Sequence, residues 1–328
     1  MDSTDNHAAE RGATMISVVR ILLTLTVLQL LQGCNTAPQP RQDQALHPLI
    51  LVVNSNRSVP RYHIAETAFS EELASEQIMS VNLEGDEQPT ETLQDILNHQ
   101  KFAAIYCIGA KALGSIDYLA PAVPVIYSSV LSWRQFQHKP DYYGVTSEVA
   151  PSAQLAWFKH FFPETKNIGV LYSTDNSALI EEASQHANAL SITLVAEKVL
   201  HQTPSKDQIT NLLNRVDALW ILPDPVVLNT ERDTVHLFEI AHQQRKAVFS
   251  YNSFFMTLGA TLSINADLAT TGRQAALIVQ SVKERGTARK AIQFPAGSSI
   301  SLNLKKVSDN GLSLNAEALN SVSELLEQ

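Results

Sequence analysis

The chain has 328 residues, 45% of them hydrophobic and 17% charged, which is enough for two domains of roughly 130 to 150 residues each. That composition, with 12 Gly and 14 Pro, excludes a disordered tail, a collagen-like rod and a polytopic membrane protein. The 33 acidic against 24 basic residues give a formal net charge of -9, so no global positive field exists to gather nucleic acid, and the two cysteines exclude a disulfide framework.

Residues 1–34 have the layout of a secretory signal peptide. A short basic stretch ends at Arg20, and the apolar run Ile21–Leu31 spans 11 residues, shorter than the ~20 that a bilayer crossing needs. The 14 residues before Met15 are polar, which marks Met15 as a candidate start. Leu31-Gln32-Gly33-Cys34 resembles the bacterial lipobox, at which cleavage precedes a cysteine that is then acylated. By that resemblance Cys34 carries the lipid, palmitate included, and the mature protein is tethered to the cell envelope on its periplasmic side. Asn35 in place of Asp after the cysteine points to the outer membrane. Residues 35–46, polar and with two prolines, read as a tether.

From His47 onward short apolar runs alternate with amphipathic stretches. Strands are expected at Leu49–Val53, Ile78–Leu83, Phe102–Ile108 and Val123–Tyr127, with helices near 63–75, 89–99 and 110–118. The runs are continuously apolar, as in strands covered on both faces by helices. The pattern restarts with a helix from Pro151 to Phe162 and strands at Ile168–Tyr172, Ile192–Val195, Ala218–Leu222 and Ala247–Ser250. Helices near 176–190, 204–215 and 230–245 separate them, with Thr203-Pro204 and the Thr230/Asp233 pair as start signals. After Thr261–Ile264, Asp267 opens a helix through Arg285 that Gly286 closes. Strands at Ala291–Pro295 and Ile300–Leu304 and a last helix near 315–326 complete the chain. The fold class is α/β, with two Rossmann-like parallel-sheet lobes.

Motifs for catalysis are missing: there is no phosphate-binding G-x-x-x-x-G-K-[ST], G-x-G-x-x-G, H-E-x-x-H, G-x-S-x-G or C-x-x-C. His236 and His242 are six apart and share no helix face, and Glu71-Glu72 and Glu181-Glu182 read as solvated surface. Cys107, inside an apolar strand, reads as a small buried hydrophobe. No enzyme, metal or cofactor is indicated. What is left is the set of loops at the carboxyl ends of the strands, where open α/β sheets place their ligands. These are small and polar: Asn54 to Asn56, Ser128-Ser129, Ser173 to Ser177, Pro223-Asp224-Pro225 and Tyr251-Asn252. Hydroxyls and amides suit a carboxylate or hydroxyl, Asp224 or Asp175 suits an ammonium, and Tyr251 or Tyr127 suits an apolar body. Ser173 to Ser177 serves equally as a helix cap, and Asp224 as a turn residue.

Pro124-Val-Ile-Tyr-Ser-Ser129, Tyr143-Gly-Val-Thr146, Ile168-Gly-Val-Leu-Tyr172, Val216 to Asp224, Ala247-Val-Phe-Ser-Tyr251, Gly272-Arg-Gln-Ala-Ala276 and Leu302-Asn-Leu-Lys305 together carry a family resemblance. From about residue 100 to 312 the chain resembles ABC-transporter substrate-binding proteins of the type I periplasmic-binding fold, in the subgroup whose characterised members bind aromatic amino acids. The resemblance implies lobes joined by a hinge of three crossing strands, near Tyr143–Thr146, Ser263–Asp267 and Pro295. Lobe 1 would comprise 47–143 with about 265–294, and lobe 2 would comprise 144–264 with about 295–328. It also implies closure over a small-molecule ligand, with Ser128 and Ser129 from lobe 1 and Ser173, Thr174, Asp175, Asn176, Asp224 and Asn252 from lobe 2 lining the cleft. The segment from 54 to 100 departs from the family by being shorter. The expected partner is an ABC permease, the alternative being a membrane signalling protein served by a ligand-sensing lipoprotein of the same fold.

Overall fold

The computed structural model describes residues 49–200 and 203–327. The signal peptide, Cys34 and the tether therefore lie outside the described residues. Among the described residues, no helix is long and apolar enough to cross a membrane.

The first sheet holds six parallel strands in the order β11-β5-β4-β3-β1-β2. They are β1 (Leu49–Asn54), β2 (Ile78–Asn82), β3 (Phe102–Ile108), β4 (Val125–Ser128), β5 (Tyr142–Val145) and β11 (Ile292–Gln293). The apolar run of β1 is explained by its two faces. Ile50 and Val52 pack with α1 (Pro60–Glu72) and α8 (Leu268–Arg285), whereas Leu51 and Val53 pack with α2 (Pro89–His99) and α3 (Ala110–Leu119). Each residue in the strand thus has a core to enter, which is why no polar alternation is seen. Cys107 is fully buried on the second of these faces, and burial pushes its thiol up, far from the reactive range. Helices α1 and α8 cross with almost no gap: a Cβ on Gly272 would stand 2.2 Å from the Ala65 carbonyl oxygen.

The second sheet has seven strands in the order β13-β12-β10-β9-β8-β6-β7. They are β6 (Asn167–Tyr172), β7 (Thr193–Lys198), β8 (Ala218–Trp220), β9 (Ala247–Ser250), β10 (Leu262–Ala266), β12 (Ser298–Asn303) and β13 (Glu324–Leu326). All neighbours are parallel except β10 and β12. Helices α4 (Pro151–Phe161) and α5 (Ser177–Ala189) pack on one face around Phe158, Trp220 and Phe249. On the other face α6 (Lys206–Leu213) and α7 (Glu231–Gln243) pack around Leu212, Phe238 and Leu219. The α/β class with two mostly parallel sheets is the one the sequence implies.

Three segments connect the sheets: Thr146–Ala150 from β5 to α4, Asp267 from β10 to α8, and the turn from β11 to β12. They are bonded to one another. Thr146 N donates to Gln293 O at 2.9 Å, Glu148 bridges to Asn265, and Asp267 N donates to Gly297 O at 3.1 Å. The crossing is a hydrogen-bonded ribbon, a suitable hinge for two rigid bodies.

Capping signals are mostly realised. Asp267 accepts from Thr270 N, Gly286 takes φ 75°, and Thr230 accepts from Asp233 N. Two expectations change. Ser205, not Thr203, caps α6, its side chain accepting from Gln208 N. The helix expected near 315–326 is instead a six-residue 3-10 turn segment, Ala316–Ser321, followed by β13. The edge of β12 offers unpaired backbone groups there, and Ser301, Leu302 and Asn303 pair with Glu324, Leu325 and Leu326. A short helix, α9 (Leu304–Asp309), lies between β12 and that turn.

Candidate functional site

A cavity of about 310 Å³ lies where the first sheet, the crossing segments and one loop of the second sheet meet. Its wall starts at the first turn of α1 with Arg61 and Tyr62, and continues through Ala110, the first residue of α3. Ser129, Leu131 and Ser132 follow from the loop after β4, then Thr146 and Ser147 from the first crossing segment, Ala266 from the end of β10 and Leu268 and Thr271 from the first turn of α8; Asn252 comes from the loop after β9 of the second sheet. A second cavity, of about 240 Å³, shares Leu131 and Ser132 with the first and is otherwise lined by Pro223, Asp224, Pro225, Leu228 and Tyr251.

Local geometry explains why these residues converge. Gly109 ends β3 at φ 88°, and a Cβ there would stand 2.6 Å from Ser55 Oγ and 2.8 Å from Tyr62 Cζ. Only glycine lets the starts of α1 and α3 approach this closely. Ser55 Oγ then accepts from Ala112 N at 2.9 Å, tying the loop after β1 to α3. Ser129 adopts φ 58°, and among the described residues it is the one non-glycine with positive φ that lines the first cavity. A left-handed serine costs on the order of 1–2 kcal/mol, a strain commonly found at ligand sites.

The expected site residues separate into groups. Ser129 and Asn252 face each other's lobe across the first cavity, and Asp224 and Tyr251 line the second. Ser128, though adjacent to Ser129, is fully buried, its Oγ 2.6 Å from the Tyr106 hydroxyl in the sheet, so the serine that lines the cavity is Ser129. Thr174 and Asp175 are exposed and line neither cavity. Ser173 and Asn176 are buried and also line neither.

Asp224 differs from the expectation that it holds an ammonium. Its Oδ2 accepts from Ser173 N and Asn176 Nδ2, both at 2.7 Å, and its Oδ1 from Val226 N at 3.0 Å and Val227 N at 3.2 Å. A carboxylate has about four acceptor sites, and here all four are used by the protein. Burial pushes this carboxyl up, but the Ser173, Asn176 and Val227 donors outweigh it and hold Asp224 below the ordinary carboxylate value. Asp224 therefore locks the loop after β8 to the start of α5. Beside it, Ser173 Oγ and Asn176 Oδ1 are buried without a protein partner.

Arg61, Tyr62, Leu131, Ser132 and Thr271 were not singled out in the sequence. Pro60 was the available signal, since proline at the first helical position starts α1 at 60 and brings Arg61 into the first turn. Asn54, by contrast, is consumed locally: its Nδ2 donates to Glu66 Oε2 at 2.7 Å, and Arg57 reaches both Glu66 oxygens, at 2.6 and 2.9 Å. Behind the first cavity, Glu148 is buried on the crossing segment. It accepts from Trp133 Nε1 at 2.9 Å, Ser147 Oγ at 3.0 Å and Arg134 at 3.2 Å. Burial raises its carboxyl, and Arg134 and these donors only partly oppose that. Burial, with Glu148 nearby, also raises the Tyr251 phenol. No group of three or more metal-ligating side chains occurs among the described residues.

Two sheets joined by three crossing segments and a cavity at the carboxyl ends of the strands define a two-lobed binding protein of the type I periplasmic-binding fold. Residues 76–325 match the family described as ABC transporter substrate binding protein, and the chain belongs to that family. Solved structures agree in fold. A substrate-binding protein with adhesive properties from Clostridium difficile, CD0873, in its ligand-free open form, has a TM-score of 0.63 at 15% identity, covering 86% of this chain and 100% of that one. An ABC domain from Streptococcus pneumoniae in complex with L-Trp has a TM-score of 0.54 at 19% identity, covering 84% and 100%. A conserved domain protein from Vibrio cholerae has a TM-score of 0.56 at 16% identity, covering 85% and 99%. No curated protein sequence matches the chain.

Proposed function

We propose that this chain is a lipid-anchored periplasmic solute-binding protein of an ABC importer. It takes a small polar or aromatic, amino-acid-like solute between its lobes and delivers it to a membrane permease. The observation that carries this is the cavity itself, in which Ser129 and Ser132 of one lobe and Asn252 of the other lie on a single lining beside a hydrogen-bonded hinge. A solute touching Ser129 and Asn252 together gains contacts that exist only when the lobes are near, which favours closure. Tyr251, with its ring edge-on to Phe255 at 5.4 Å, offers an aromatic wall, and the Ser173–Asn176 loop with Asp224 shapes that side. The L-Trp complex of a protein of similar fold supports an aromatic, amino-acid-like ligand. Cys34, in its lipobox-like setting, is the proposed acylation site.

Thermal unfolding of the purified chain against amino acids, nucleosides, sugars and small carboxylates tests the binding step. A ligand at 100 times its dissociation constant stabilises the folded state by about 2.7 kcal/mol. A shift with one class, reduced by Ser129→Ala and Asn252→Ala, is expected. No shift with any class refutes a solute-binding cleft.

A further inference from the structure

The first cavity is electrostatically one-sided. Arg61 is the only charged residue on its lining, and among the described residues it has no acidic partner. Its guanidinium lies over the Tyr62 ring, 4.8 Å from the centroid, and is held at the cavity wall. Helices α1 and α3 both begin at this wall, and neither is capped by the side chain of the residue before it, though Ser55 Oγ accepts from Ala112 N in the first turn of α3. Pro60 gives α1 no first N–H and Tyr62 N already donates to Val59 O, so what α1 adds to the field of Arg61 is chiefly its positive dipole end, and α3 adds its own. Ser129 supplies a hydroxyl, while Tyr62, Leu131 and Leu268 supply apolar surface. Nothing on this lining balances a positive charge. Of the carboxylates already described around it, Asp224 is taken up by four protein donors, Glu148 by Trp133, Ser147 and Arg134, and Asp267, between the lining residues Ala266 and Leu268, caps α8 by accepting from Thr270 N at 2.6 Å.

We propose that the cleft recognises its solute through a carboxylate seated on Arg61 and the starts of α1 and α3, and that an ammonium group on the solute contributes no ion pair. The inference rests on the solute-binding reading and narrows it to small organic acids with an apolar body, amino acids binding as acids. A carboxylate suits this wall because a guanidinium donates two parallel N–H groups to it and the positive dipole ends of the two helices favour its charge. A cationic amine meets Arg61 and two positive dipole ends with no acidic residue on the lining.

Calorimetry on the full purified chain at pH 7 with three matched probes tests this: 3-(indol-3-yl)propanoate, L-tryptophan and tryptamine. The two acids are expected to bind within about 3-fold of each other and the amine at least about 100-fold more weakly. Arg61→Gln is expected to weaken both acids by at least about 10-fold while leaving the unliganded unfolding temperature unchanged, since Arg61 is exposed. Binding of tryptamine on a par with the acids overturns the inference. So does L-tryptophan binding about 100-fold more tightly than its deaminated analogue, or indifference to Arg61→Gln. If none of the three binds but a nucleoside or sugar does, the carboxylate inference fails and solute binding stands. If no class binds, both fail.

Discussion

Replacing Asp224 by Asn keeps the shape of the side chain and removes its charge, and the consequence follows from four distances. Ser173 N and Asn176 Nδ2 reach one carboxylate oxygen, and Val226 N and Val227 N the other, at 2.7 to 3.2 Å. An amide retains one acceptor oxygen and turns its NH₂ group toward the other pair of donors. Two charge-assisted bonds then become ordinary ones, and two buried N–H groups lose their acceptor, at about 1–3 kcal/mol for each orphan. Allowing for relaxation of the loop, Asp224→Asn is expected to cost about 3–5 kcal/mol at pH 7. Urea unfolding measures it. The pH dependence has a defined sign: the folded carboxyl is held below its unfolded value, so its stabilisation is present above the unfolded value. It is lost as pH falls through the folded one. The gap between wild type and variant should be full at neutral pH and close below about pH 4. A variant within about 0.5 kcal/mol of wild type at pH 7, or a gap that does not change with pH, refutes Asp224 as the lock of this loop pair.

Gly272→Ala places a methyl group 2.2 Å from the Ala65 carbonyl oxygen, so α1 and α8 must part; a loss of about 1–3 kcal/mol in urea unfolding is expected. Glu148→Gln should flatten one part of the pH profile. The raised carboxyl of Glu148 favours the folded state most below its unfolded value, and that contribution is lost as pH rises through the folded value, so wild type should gain stability on acidification from neutral pH toward the ordinary carboxylate range that the variant lacks, read from urea midpoints. Ser129→Gly removes the left-handed strain and the hydroxyl together; stability should rise by up to about 1 kcal/mol, while calorimetry shows weaker solute binding. Cys34→Ser should abolish incorporation of labelled palmitate and release the protein from the membrane fraction.

The repeated strand and helix order was legible because the inner strands β1, β3, β6, β8 and β9 are short apolar runs separated by helices, and burial on both faces demands that pattern locally. Helix α8 was legible end to end, since Asp267 and Gly286 are capping residues whose bonds lie within a few positions of themselves. The carboxyl terminus was not. Residues 315–326 have a spacing that permits a helix, and only the free edge of β12, some 20 residues earlier in the chain, makes Glu324–Leu326 a strand. The site divides in the same way. Loop composition marked Ser129, Asn252, Asp224 and Tyr251, because small polar residues after a strand are a local signal. Whether Ser128 or Ser129 lines the cavity depended on the pleat and on one left-handed φ. Arg61 and Tyr62 reach the cavity because Gly109, 48 residues later in the sequence than Arg61, lets two helix starts meet. The charge available at Asp224 was likewise decided by its neighbours in space. The sequence names that carboxylate, but only the folded loops supply the four donors that occupy it.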